Sequence, residues 1–453
     1  MGTGEGRMNY FIDPFGCVKN QVDAETMMAF LNKEGWVSTD AGQADVIIVN
    51  SCGFIESAKR ESINAVMAWR AVYPHKRIVL AGCLSQRYAV ELEESLAEAN
   101  VIFGDKDISN IGGAVAAALK GERYDRSALA HAAAGGACSV DGIESALPER
   151  PLLSLPGSAY VKISEGCDNR CAFCSIPLIR GGLRSRTITA IIGECMALLK
   201  RGVKELCLIG QDIGSFGMDR SGQELPDLLA AISALQGDFW VRLLYIHPNH
   251  FPMHILAVMR DDKRFLPYFD IPFQHGADSV LKRMNRRQSA EDYLALLDRI
   301  RTALPDAVIR STFLLGFPGE TEEDIDELFD FQEKSSLDWL GCFTYSREEN
   351  TLAYSMKNRV SKKIALARKR QVEEKQAAIT KWRMERFIGR VFDVLVEEKI
   401  QGEDLYLGRL FCHAPEVDGS AVISSDAVLE PGSFIRGKVF ARAGFDLEIA
   451  PFR

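Results

Sequence analysis

Apolar positions in the first 120 residues follow one pattern three times: a run of β-branched and apolar residues, a tight turn, then apolar residues at every third or fourth place. The stretches are "NYFIDPFGCVKNQVDAETMMAFL", "DVIIVNSCGFIESAKRESINAVMAW" and "RIVLAGCLSQRYAVELEESL". A strand-like run followed by helical periodicity predicts βα units on a parallel sheet. Over residues 123–157 the periodicity is lost and Ala, Gly and Pro accumulate, which predicts a linker. From 158 the alternation resumes, with strand candidates "AYVKISEGC", "KELCLIGQD", "WVRLLYIHP", "YFDIPFQH", "AVIRSTFLLGFPGE" and "LDWLGCFTYS", most separated by helical stretches. That predicts a full or partial β/α barrel. Residues 357–386 read as one long helix, and after Phe387 short runs such as "RVFDVLVEEK", "LYLGRLF", "SAVISSD" and "SFIRGKVFAR" predict a small β-barrel. The fold class is therefore α/β with a small all-β tail, divided at 8–122, 123–157, 158–386 and 387–453.

Composition narrows the function classes. A hydrophobic share of 47% and a charged share of 26% are those of an ordinary globular chain, and no run of about 18 apolar residues is present. The opening residues lack an export or myristoylation pattern, so a cytoplasmic location without membrane contact is expected. A formal charge of −8 argues against a general nucleic-acid binder. Local charge differs: residues 357–386 hold 11 Lys or Arg against 3 acidic residues, whereas the tail from 387 holds 7 basic against 11 acidic. The basic helix is either a solvated face or a contact for RNA.

The eleven cysteines are more informative by position than by number. Cys17, Cys52 and Cys83 each end the strand of one βα unit, 35 and 31 residues apart, so three thiols are expected on one sheet edge, where α/β sheets bind ligands. A second set, Cys167, Cys171 and Cys174 in "EGCDNRCAFCSIP", packs three thiols into eight residues. Soft thiolates suit zinc or an iron–sulfur cluster. Structural zinc favours a fourth protein ligand, and nothing nearby supplies one, whereas three sulfurs on one corner of a cubane leave its fourth iron open. Cys138, Cys195, Cys207, Cys342 and Cys412 share no such relation and read as ordinary thiols.

"CDNRCAFC" resembles the Cys-x3-Cys-x2-Cys pattern of radical S-adenosylmethionine enzymes. With the three upstream cysteines, the barrel and the β-barrel tail, the chain resembles over nearly its whole length the methylthiotransferases of that superfamily. Within them "GCVKNQVDAE", "VNSCGFIESAKRES", "KISEGCDNRCAFCSIPLIRGGLRSR", "DIPFQH", "STFLLGFPGETEED" and "APEVDG" look most like the branch acting on an aspartate of the twelfth small-subunit ribosomal protein. The resemblance implies two 4Fe-4S clusters, one on each cysteine set, with S-adenosylmethionine at the open iron of the second. It implies cofactor contacts from Phe173, Gln211, Asp212 and Gly316, and no catalytic side chain beyond the cluster ligands. It also implies a basic ribosomal protein as substrate, a small reductant such as flavodoxin or ferredoxin, and a monomer. The branch that modifies isopentenyladenosine in transfer RNA is the alternative, and an acidic tail disfavours it. A non-enzymatic zinc-dependent RNA-binding protein is a third reading, which leaves two separate three-thiol sets unexplained. His275, alone at a strand end, reads as structural.

Overall fold

The structure is a computed structural model that describes residues 8–106, 108–124, 147–220 and 222–452. It divides into two compact units: residues 1–153, 165–168 and 175–182 form one, and 154–164, 169–174 and 183–453 the other.

In the first unit, strands β1 (Asn9–Pro14), β2 (Val37–Ser38), β3 (Val46–Ser51), β4 (Arg77–Gly82) and β5 (Val101–Phe103) form a wholly parallel sheet in the order β2-β1-β3-β4-β5. Alternate strand residues face opposite layers, as the two-residue period demands. Tyr10, Ile12, Val46, Ile48 and Val79 pack with α1 (Val18–Lys33) and, from the far end of the unit, with the helix Ile111–Lys120. Ile47, Val49, Ile78 and Leu80 pack with α2 (Glu56–Val72) and with α3 (Cys83–Arg87) and α4 (Ala89–Ser95). Both faces are covered, which explains why β3 and β4 read as almost unbroken apolar runs.

The linker expected over 123–157 falls mainly on 125–146, outside the described residues, and Cys138 lies there too. Its last residues are anchored. Arg150 is fully buried, its Nε donating to Glu25 Oε2 at 2.8 Å, and the Leu153 amide donates to the other Glu25 oxygen at 2.8 Å. A single arginine anchored by one distant glutamate has no period for a sequence reading to detect.

The second unit carries six parallel strands, β6 (Ser158–Lys162), then, beyond the short β7 (Ser164–Glu165) and β8 (Arg184–Ser185), β9 (Glu205–Ile209), β10 (Trp240–Leu243), β11 (Phe265–Asp270), β12 (Val308–Leu315) and β13 (Trp339–Thr344). Their order, β13-β12-β11-β10-β9-β6, is sequential and open, a partial β/α barrel. The basic segment is helical over Lys362–Glu385, capped by Ser361, whose hydroxyl accepts from the Ile364 amide. Its buried stripe of Ala365, Arg368, Val372, Gln376, Thr380 and Met384 recurs every three or four residues. Several of its cations are engaged within the unit: Arg368 with Glu320, Lys375 with Glu333, Arg383 and Arg386 with Asp338.

The tail is a closed barrel of β14 (Val391–Lys399), β15 (Leu405–Arg409), β16 (Ala421–Ser424), β17 (Phe434–Ala443) and β18 (Asp446–Pro451) in the order β14-β15-β16-β18-β17. The last strand is not among those expected, although Leu447 and Ile449 alternate inward. The barrel docks against the amino ends of the six-stranded sheet through buried charge. Glu205 accepts from Arg242 Nε at 2.7 Å and Arg409 Nη2 at 2.5 Å, and Arg409 Nε also meets Glu397 at 2.5 Å. The Tyr268 hydroxyl donates to Asp418 at 2.6 Å.

Candidate functional site

Cys17, Cys52 and Cys83 directly follow or closely follow β1, β3 and β4, which are adjacent in the sheet. One edge therefore carries all three, beside the point where the strand order reverses. Cys17 is extended (φ −93°, ψ 170°) at the start of α1, the Cys52 amide donates to Ser62 Oγ at 3.0 Å, and Cys83 opens α3. Cys17 is exposed, Cys52 half-buried and Cys83 buried.

Glycine makes the convergence sterically possible. A Cβ on Gly16, whose φ is +95°, would lie 2.9 Å from Cys52 Cβ, and one on Gly53 would lie 2.7 Å from the Cys83 carbonyl oxygen. Burial raises the Cys52 thiol to about 11, with Cys17 adding to the rise. Burial pushes Cys83 up as well, and Cys17 and Cys52 both contribute there, so the three sulfurs share one electrostatic environment. Among the described residues no three His, Cys, Asp or Glu side chains converge on a single-ion position. Three soft donors on neighbouring strand ends, cleared of side chains by glycine, fit a sulfur-ligated cluster.

Sequence reasoning missed Arg180. Its Nη2 lies 2.9 Å from Cys83 Sγ and 2.9 Å from Asn20 Oδ1; Nη1 lies 2.8 Å from Asp23 and 3.4 Å from Glu165, and Nε 3.0 Å from Asp105. Asn20 in turn donates to the carbonyls of Phe15 and Ser51, tying together the loops after β1 and β3. The only signal in the sequence was its place six residues after Cys174.

The second set follows β7 in an irregular loop, all three cysteines half-buried. Cys167 belongs to the first unit, where its amide donates to Gly181 O at 3.2 Å. Cys171 and Cys174 belong to the second, and the Cys174 amide donates to Cys171 O at 3.0 Å. Cys171 Sγ lies 3.8 Å from His247 Nε2, which is 2.6 Å from Arg286 Nη1. Burial and the Arg286 guanidinium hold His247 well below the usual histidine range.

The four expected cofactor contacts divide. Phe173 meets Phe317 edge-on, ring centroids 6.5 Å apart, over an apolar bed that includes Ala172, Met284 and Leu314. Gln211 stands half-buried just beyond β9. Asp212 is buried, and its oxygens accept from the Gly214 and His247 amides at 3.0 Å, from Ser215 Oγ at 2.6 Å and from Asn169 Nδ2 at 2.8 Å, with His250 Nδ1 2.9 Å away. Burial would raise this carboxyl, but the hydrogen bonds from His250 and Ser215 prevail and lower it. With both oxygens hydrogen-bonded, Asp212 ties together the loops after β9 and β10. Gly316 has φ +78°, and a Cβ there would lie within 2.4 Å of Ala365 Cβ, while its amide donates to Glu320. The glycine is explained by close helix packing. His275 is fully buried, its Nδ1 accepting from the Ala277 amide at 3.0 Å. Cys195, Cys207, Cys342 and Cys412 are buried.

Comparison with known families gives three matches along the chain: uncharacterized protein family UPF0004 over residues 9–104, the radical SAM superfamily over 161–331 and the TRAM domain over 388–450. Ribosomal protein uS12 methylthiotransferase RimO of Treponema denticola is 44% identical, covering 96% of this chain and 99% of its own length. The proteins of that name from Acetivibrio thermocellus and Thermotoga maritima are 39% and 40% identical, covering 95% and 91% of this chain and 96% and 93% of their own lengths. Among solved structures, the radical S-adenosylmethionine methyltransferase TsrM from Kitasatospora setae, with tryptophan and a cofactor analogue bound, superimposes with TM-score 0.55 at 12% identity over 83% of this chain and 89% of that one. At that identity the likeness concerns the fold.

Proposed function

The chain belongs to the family of ribosomal protein uS12 methylthiotransferases called RimO, and on that premise we propose that it places a methylthio group on the β-carbon of an aspartate of uS12, the twelfth protein of the small ribosomal subunit. The observation that carries this reading is the pair of three-cysteine sets, one at the carboxyl ends of three neighbouring parallel strands and one in the loop after β7, in a chain matched almost end to end by those relatives.

Membership of the radical SAM superfamily brings with it a 4Fe-4S cluster and S-adenosylmethionine. We assign that cluster to Cys167, Cys171 and Cys174, and a second, auxiliary one to Cys17, Cys52 and Cys83. Bound there, cluster and cofactor supply a one-electron route to an unactivated C–H bond that no side-chain base has the pKa to break. The protein's own part is positioning. Phe173 and Phe317 offer an apolar wall for an adenine ring, Gln211 a polar group at the strand end, and Gly316 a turn that lets its loop lie close against the helix Lys362–Glu385. Asp212 acts through the His247 and His250 loops, and His247 sits against the Cys171 sulfur.

Charge supports a protein substrate. Glu397, Asp418 and Arg409 are buried within the second unit, which leaves nine acidic and six basic residues on the tail. An acidic surface complements a basic ribosomal protein, whereas a grip on RNA needs a basic one. Among the described residues no helix is long and apolar enough to cross a membrane. We place the reaction in the cytoplasm, with a monomeric enzyme and a flavodoxin- or ferredoxin-like reductant, and take the domain limits as 8–122, 158–386 and 387–453.

Mass spectrometry of uS12 after anaerobic reaction with reconstituted protein, S-adenosylmethionine, sulfide and reductant, beside a transfer RNA digest, tests the substrate. A methylthio increment on an aspartate is the expected result. An increment confined to an RNA adenosine overturns it.

A further inference from the structure

We propose that Arg180 is a positioning residue for the auxiliary site: its charged hydrogen bond to Cys83 Sγ fixes that sulfur as a ligand and sets the reduction potential of the cluster held there. The inference rests on the assignment of Cys17, Cys52 and Cys83 to that cluster.

The geometry separates Arg180 from an ordinary structural arginine. Its guanidinium is 5% exposed and held by Asp105, Asp23 and Glu165. Even so, one of its nitrogens is directed at a sulfur, 2.9 Å away, and shares that nitrogen with Asn20, which lies 3.3 Å from the same sulfur. Hydrogen bonds to ligating sulfurs and nearby charge are two of the protein's levers on cluster potential. Both meet here with opposite signs: Arg180 stabilises the more negative reduced state, and the neighbouring carboxylates oppose it. The residue follows Cys174 by six positions, so the segment carrying the other cysteine set ends on the group that touches Cys83.

The test uses full-length protein with Cys167, Cys171 and Cys174 replaced by Ala, reconstituted anaerobically, so that the auxiliary cluster is the one observed. Its midpoint potential is read by electron paramagnetic resonance during titration with dithionite. Arg180→Gln is expected to move the midpoint to a more negative value, by roughly tenfold in the reduction equilibrium, about 59 mV for one electron. Asp105→Asn, which keeps the guanidinium and the side-chain shape, is expected to move it the other way. A purely structural arginine changes thermal stability and leaves both midpoints at the parent value, and that result overturns the proposal. Should Arg180→Gln lose its iron, Asp105→Asn decides alone, since an unchanged midpoint there is equally fatal. Failure of the parent protein to hold iron is a distinct result, which removes the auxiliary-cluster assignment itself.

Discussion

Two buried arginine clusters, one in each unit, use the same chemistry to different ends. In the second unit Arg242 and Arg409 face Glu205 and Glu397, two cations against two anions, with every charge met by another. In the first unit Arg180 faces three carboxylates and a thiol. A balanced set can only hold its members together, and that one fastens the terminal barrel to the strand ends. The set around Arg180 does something further, because its guanidinium, held by carboxylates, also places a hydrogen-bond donor on a sulfur. The difference lies in what the guanidinium touches, carboxylates in the second unit and carboxylates with a sulfur in the first.

The balanced cluster is the easier of the two to break by substitution. Arg409→Ala leaves Glu397 without its cation and Glu205 with one of its two, and the expected loss is about 3–5 kcal/mol in chemical unfolding; a change below about 1 kcal/mol would erase the contrast. Acid should act on the same cluster almost as strongly. Burial would raise Glu205, but Arg409 and Arg242 pull it down from 4.5 to about 2. A depressed carboxylate stabilises the fold fully above its unfolded pKa, and that stability is lost as pH falls from about 4.5 towards 2. At 1.36 kcal/mol per unit the effect is about 3 kcal/mol. Unfolding of iron-free protein across that window should show the slope, and Glu205→Gln should remove it. The smallest effect is expected at the thiol edge: Gly16→Ala forces a Cβ against Cys52 and should cost about 1–3 kcal/mol. Iron at the auxiliary site should fall while the share bound by Cys167, Cys171 and Cys174 is kept, as iron analysis in two backgrounds would show, one with Cys167, Cys171 and Cys174 replaced by Ala and one with Cys17, Cys52 and Cys83 replaced.

Legibility in the sequence tracks the range of the forces involved. The βα units, the six barrel strands and both cysteine sets are legible because each is written locally, in a two-residue or helical period or in a short spacing. Arg180 and Arg150 are not legible, because their partners lie far along the chain: Cys83 is 97 residues from one, Glu25 125 from the other. Asp212 shows the limit from the other side. A polar residue at a strand end looks like a ligand contact, and its five hydrogen-bond partners on three separate loops are what the sequence does not show. The fifth strand of the terminal barrel escapes a sequence reading for a plainer reason, since its two inward residues, Leu447 and Ile449, make a very short alternation.

Arg409 reaches back 204 residues to Glu205 and 251 to Ser158. A chain emerging from the ribosome at 5–20 residues per second exposes Glu205 and Arg242 roughly ten seconds or more before Arg409 exists. During that interval the growing sheet holds a glutamate with only one of its two arginines, so its lower edge cannot settle into its final form. Maturation of this unit is thereby tied to completion of synthesis, and a product truncated ahead of β15 lacks the residue that completes the sheet's buried charge.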